Sequence, residues 1–86
     1  MTDTKQNIIE HHCYTELVYK RINKKLSVSF SNDQIEVLVK EALESTDKMF
    51  FAKKGKNFYV TNSEKNIRIT INSNTFRVIT VDKIGR

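Results

Sequence analysis

The side chains best suited to chemistry gather in the second half of the chain. Tyr59, Arg68, Thr70, Asn72, Thr75 and Arg77 alternate with apolar residues in "NFYVT" and "NIRITINSNTFRVITVDK", and Lys53, Lys54 and Lys56 surround the turn "KKGK". Arg and Lys neutralise phosphates, and Tyr offers a face on which an unpaired base stacks. These nine residues therefore form a candidate nucleic-acid-binding set. The plainer account is a solvated sheet face on which Tyr and Arg pair across strands for a small gain.

The charge distribution has the same polarity. Residues 1–47 hold six Lys/Arg against eight Asp/Glu, a balance of −2, whereas residues 48–86 hold nine against two, a balance of +7. One basic half is the electrostatic footprint expected for a polyanion partner.

Metal-free RNA cleavage is a second chemistry to weigh. It needs a base for the 2′-OH, an acid for the leaving oxygen and a cation for the charged phosphorane. Arg68 and Arg77 supply cations, but both histidines stand near the N-terminus, and the strand half offers only Glu64 and Asp82 as carboxylates. The catalytic residues are therefore unassigned. Metal is a third candidate, through "HHC", His11 to Cys13. Adjacent residues on a helix point about 100° apart, so these three do not converge on one ion. Core packing for Cys13 and solvent-facing histidines are expected instead. No serine carries a nucleophile motif, neither glycine-rich phosphate motif occurs, and no cofactor or metal is expected.

Two helices and four strands must position these residues. The apolar stripe Ile9, Cys13, Leu17, with Tyr14, Val18, Ile22 and Leu26, predicts a helix over about 4–25. Asp3 or Thr4 caps its start, and Lys20, Arg21, Lys24 and Lys25 suit the negative end of its dipole. "FSNDQI" reads as a capping box, Ser31 with Gln34, opening a second helix over about 32–46. After Lys48 the period falls from 3.6 to 2, predicting strands at about 49–52, 57–61, 66–72 and 75–82. The expectation is an α+β fold, two N-terminal helices packed on one face of a four-stranded antiparallel meander.

The register decides which residues share a face. A two-residue turn at Ser73–Asn74 sets Ile71 opposite Phe76, Ile69 opposite Val78 and Ile67 opposite Thr80. A four-residue "NSEK" loop sets Val60 opposite Ile67, Phe58 opposite Ile69 and Tyr59 opposite Arg68. The polar face then carries Tyr59, Arg68, Thr70, Asn72, Thr75 and Arg77, followed by Ile79 and Val81. A three-residue loop at 72–74 is the alternative, and it moves Arg77 to the other face.

Eighty-six residues make a single domain, 1–86, and 38% hydrophobic content supplies a core. No apolar run reaches the roughly 18 residues of a membrane span, so no membrane is expected. No signal peptide is visible and one cysteine forms no internal disulfide, which predicts a cytoplasmic protein. The apolar edge strand near Phe50–Phe51 can pair with a protein partner or a second copy.

"YTELVYKRINKKL", "GKNFYV" and "NIRITINSNTFRVITVDK" resemble a family of small bacterial proteins, common in Firmicutes, catalogued as a domain of unknown function. The resemblance runs from about Tyr14 to Lys83. It implies a bacterial, intracellular, single-domain protein and supplies neither mechanism nor functional residue. The layout of helices before a basic antiparallel sheet also looks like the small toxin ribonucleases of the RelE and barnase type. An inhibitor or antitoxin-like partner from a mobile element is the remaining class.

Overall fold

The computed structural model describes residues 3–84. Three helices, α1 (Thr4–His11), α2 (Glu16–Leu26) and α3 (Asn32–Ser45), precede a 3-10 turn at Lys48–Phe50 and four strands. The strands β1 (Phe51–Lys54), β2 (Asn57–Asn62), β3 (Ile67–Asn72) and β4 (Val78–Lys83) form one antiparallel sheet in sequence order. The fold is α+β.

The expected first helix is two. Asp3 starts α1 by accepting from the Lys5 N–H at 3.0 Å. The chain then turns extended at His12, because Cys13 pairs with the approach to β4. The Cys13 N–H donates to the Phe76 carbonyl at 2.9 Å, and the Val78 N–H donates to the Cys13 carbonyl at 2.8 Å. A continued helix would forgo both bonds. The histidines close the broken end: His11 Nδ1 lies 3.0 Å from the Asn7 carbonyl and His12 Nδ1 2.9 Å from that of Ile8. Carbonyls only accept, so each Nδ1 carries the proton and satisfies a helix-end acceptor. The apolar stripe breaks with the helix, leaving Leu17 72% exposed and Cys13 exposed rather than in the core.

In α3 both bonds of the capping box form, Gln34 N–H to Ser31 Oγ at 3.2 Å and Ser31 N–H to Gln34 Oε1 at 2.8 Å. Such a cap is worth about 1 kcal/mol. The face Ile35, Val39, Ala42 and Leu43 is fully buried. It joins Val18, Ile22 and Leu26 of α2 and Val60, Ile69, Ile71 and Val81 of the sheet in one hydrophobic cluster. α2 packs along β4, α3 meets β2, and α1 lies against α3.

Two registers differ from expectation. Across β2 and β3, Val60 faces Ile69, Phe58 faces Ile71 and Tyr59 faces Thr70, a shift of two that leaves every side chain on its expected face. The cause is Asn62, which belongs to the strand and is buried rather than being part of the loop. Its Nδ2 lies 2.9 Å from Thr46 Oγ1 and 3.2 Å from the Ala42 carbonyl, and its Oδ1 accepts from the Lys65 N–H at 2.8 Å.

The final hairpin does not turn in two residues. Asn72 Oδ1 accepts from the N–H groups of Asn74 and Thr75 at 2.8 and 2.9 Å, while its carbonyl accepts from the Phe76 N–H at 2.9 Å. This Asx turn holds a longer loop, with Phe76 in the left-handed region at φ 60°. Ile71 therefore faces Val78, not Phe76. A bulge at Ile79 follows, since Thr70 faces Thr80 and Ile69 faces Val81. The bulge turns Val81 into the core, 0% exposed, where the polar face was expected to hold it.

Both sheet edges differ. β4 is met at its start by Cys13, and β1 is the other edge strand. β1 begins at Phe51, later than the expected strand at 49–52. Asp47 caps the Met49 N–H at 3.1 Å and sets up the 3-10 turn instead.

Candidate nucleic-acid interface

Cross-strand partners share a face, so the register assembles the surface opposite the buried isoleucines. Ala52, Tyr59 and Thr70 form one row across β1, β2 and β3, and Thr61, Arg68 and Asp82 form the next across β2, β3 and β4. An open groove of about 660 Å³ runs here, lined by Met49, Phe50, Ala52, Lys54, Gly55, Tyr59, Thr61 and Arg68. Its walls are mainly apolar, with two cations.

Tyr59 stands at the centre, half-buried between the small residues Ala52 and Thr70. Asn57 Nδ2 lies 3.4 Å from its hydroxyl, so the ring has a polar tether at its tip. Arg68 is exposed. Its neighbour Asp82 lies 3.5 Å from Lys25 Nζ, and among the described residues no carboxylate lies within 4.0 Å of the Arg68 guanidinium. Lys54 reaches the groove from the end of β1, before the Gly55 turn, where φ is +63°.

The other candidates scatter. Thr70 is buried, 7% exposed, and offers little to a ligand. Asn72 spends its side-chain oxygen on the loop, and Thr75 Oγ1 accepts from the Arg77 N–H at 3.3 Å. Arg77 is exposed beside Cys13, level with Asn72. Four positions of β3 separate it from Arg68, on the order of 13 Å at strand rise. Lys53 faces Phe58 and so lies on the opposite side of the sheet from Lys54. Lys56 is in the turn, where its carbonyl accepts from the Ser73 N–H at 2.8 Å and the Ser73 hydroxyl at 2.9 Å.

Met49 and Phe50, 76% and 48% exposed, are groove residues that the sequence reading placed in a strand. The missed signal was Asp47, a helix-capping residue type two positions before Met49.

The perturbed tyrosines are elsewhere, between α2 and α3. Tyr19 donates to Glu36 Oε2 at 2.5 Å, and desolvation together with this bond pushes its pKa up to about 12. Tyr14 stacks on Tyr19 with centroids 5.5 Å apart, and burial raises its pKa further. Among the described residues its hydroxyl has no hydrogen-bond partner. Among the described residues no group of three His, Cys, Asp or Glu is placed to hold a metal ion, and no helix is long and apolar enough to cross a membrane.

No curated protein and no solved structure matches the chain, and the likeness to toxin ribonucleases therefore rests on layout alone. Residues 6–82 match a family described as "Protein of unknown function (DUF3781)", which covers nearly the whole of the fold just described. The chain belongs to that family of unknown function.

Proposed function

We propose that the protein binds single-stranded nucleic acid in the groove between the 3-10 turn and the outer sheet face. The observation that carries the reading is the placement of Tyr59, Arg68 and Lys54 on one open groove. An unpaired base stacks on Tyr59 or Phe50, and Arg68 and Lys54 hold the flanking phosphates. In this reading the helices cover one face of the sheet of a single domain and leave the other to the ligand. The exposed, unpaired Cys13 fits a reducing compartment, and the reading takes that to be the cytoplasm.

The test is fluorescence anisotropy of a labelled single-stranded RNA or DNA oligonucleotide at about 50 mM salt. Binding that weakens steeply with salt and falls in Tyr59→Ala supports the reading, and absence of binding by the wild type overturns it.

A ribonuclease reading gains less from the geometry. Arg68 and Arg77 stand on the order of 13 Å apart along the sheet, and the neighbouring carboxylate Asp82 is engaged by Lys25. A protein partner is the second reading, and one observation favours it: β1 is an edge strand beside the exposed Met49 and Phe50. An extended segment added to β1 would seat its side chains in the same groove. Size-exclusion chromatography with light scattering and a pull-down decide between them.

A further inference from the structure

The cationic row of α2 is the largest charged feature outside the sheet groove. Lys20, Arg21, Lys24 and Lys25 are all exposed and line an open concavity of about 580 Å³. Helix geometry sorts them. With Val18, Ile22 and Leu26 turned into the core, Arg21 and Lys25 fall on one flank and Lys20 and Lys24 on the outer face. The contacts agree. Arg21 Nη1 donates to the Ile79 carbonyl at 3.3 Å, and Lys25 Nζ lies 3.5 Å from Asp82, so this flank adjoins β4. Tyr19 and Asn23 occupy the other flank, bonded to Glu36 and to the Phe30 backbone.

Folding explains only part of this row. Lys24 and Lys25 lie in the last turn and complement the helix dipole. Lys20 lies upstream of that turn. Lys20 with Lys24, and Arg21 with Lys25, are also like charges at i, i+4, which oppose helix formation. Among the described residues no carboxylate lies within 4.0 Å of Lys20, Arg21 or Lys24. One turn of rise, about 6 Å over four residues, is of the order of the step between successive phosphates of an extended single strand.

The row meets the groove round the edge at β4, through its inner flank. Lys25 holds Asp82, Asp82 is the cross-strand neighbour of Arg68, and Arg68 lines the groove, while Lys20 and Lys24 face away from the sheet and are reached by a strand that wraps this edge. The concavity itself is lined by these four basic side chains, their aliphatic stems forming its walls. Protein interfaces deplete Lys at their cores, whereas a nucleic-acid backbone asks for point charges without apolar anchors.

We propose that Lys20, Arg21, Lys24 and Lys25 of α2 hold the phosphate backbone of the strand whose bases lie in the sheet groove. The site thus extends across β4, and this extension rests on the nucleic-acid reading above.

The experiment measures binding of a labelled oligouridylate RNA across a salt series for the wild type, K20Q/K24Q and K5Q/K40Q. Lys20 and Lys24 are exposed and make no ion pair among the described residues, so their variant is expected to fold, as circular dichroism will register. Loss of two phosphate contacts lowers the salt slope by about 1.4 and the affinity at about 50 mM salt by about tenfold. The control removes equal charge from α1 and α3 and shifts both far less. A K20Q/K24Q protein indistinguishable from the control overturns the α2 assignment and leaves the groove reading standing. No RNA binding by the wild type overturns both.

Discussion

The Asn62 side-chain amide reaches the Ala42 carbonyl at 3.2 Å, so an amide of β2 is tied to the C-terminal end of α3. Thr46 Oγ1 bonds the same carbonyl at 2.6 Å and lies 2.9 Å from Asn62. This buried polar knot fixes how far the β2–β3 hairpin extends, and through the register it fixes the neighbours of Tyr59.

Removing the amide should therefore loosen both the helix end and the hairpin. Asn62→Ala leaves the Lys65 N–H without its acceptor and removes the amide buried against Thr46 and Ser45, while the Ala42 carbonyl keeps its bonds from Thr46, with an expected loss of about 1–3 kcal/mol. Urea denaturation should show a lower midpoint at unchanged slope. A loss below about 0.5 kcal/mol would mean that the knot contributes little.

Phe76 makes a sharper test because its backbone and side chain pull in opposite directions. The ring lies near those of His11 and Phe58, with centroids 5.7 and 6.1 Å away, while φ is 60°. Both Phe76→Ala and Phe76→Gly lose the ring, but only glycine relieves the left-handed backbone. The glycine variant should be the more stable by about 1 kcal/mol, the reverse of the usual order. Equal stabilities, or alanine ahead, would contradict the strained loop.

Alkaline pH should destabilise the fold through the stacked pair Tyr14 and Tyr19, of which Tyr19 is the one bonded to a carboxylate. Its folded pKa of about 12 exceeds the ordinary tyrosine value of 10.0, by burial first and then by the bond to Glu36. A group raised on folding keeps its contribution below the unfolded pKa and loses it as pH rises toward the folded one. Stability should fall between about pH 10 and 12, and Tyr19→Phe should flatten that fall. Tyrosinate absorbance and thermal melts along the same titration read the two sides. An unchanged alkaline limb in the variant would place the effect elsewhere.

The two arginines should separate in binding. Arg68 lines the groove and Arg77 stands at the far end of the sheet beside Cys13. Arg68→Ala should weaken single-strand binding about fivefold or more, in the range of one lost charge-assisted contact. Arg77→Ala should change it less than twofold. Equal effects would mean that the ligand spans the whole sheet.

Local chemistry was legible in the sequence, and long-range pairing was not. The capping box of Ser31 and Gln34 lies within four consecutive residues and forms as read. The alternation in β2 and β3 placed Tyr59 and Arg68 on one face even though the register is offset by two, since an even shift preserves the face. The break at His12 was hidden because its cause, the pairing of Cys13 with Phe76 and Val78, comes from residues more than sixty positions away. The last hairpin failed for a nearer reason. Asn72 supports a two-residue turn or a longer Asx turn equally well on residue type, and only the bulge at Ile79 reconciles the longer one with the core. Thr75 went into that turn, while Arg77 stays level with Asn72, on the order of 13 Å along the sheet from Arg68.

The unequal edges of the sheet bear on assembly. Fibre growth by strand addition needs a donor edge and an acceptor edge on every subunit. Here the approach to β4 is occupied by Cys13, and α2 flanks the strand with Arg21 on Ile79. Among the described residues β1 is the less obstructed edge, so strand addition through this sheet would favour a pair over a growing stack.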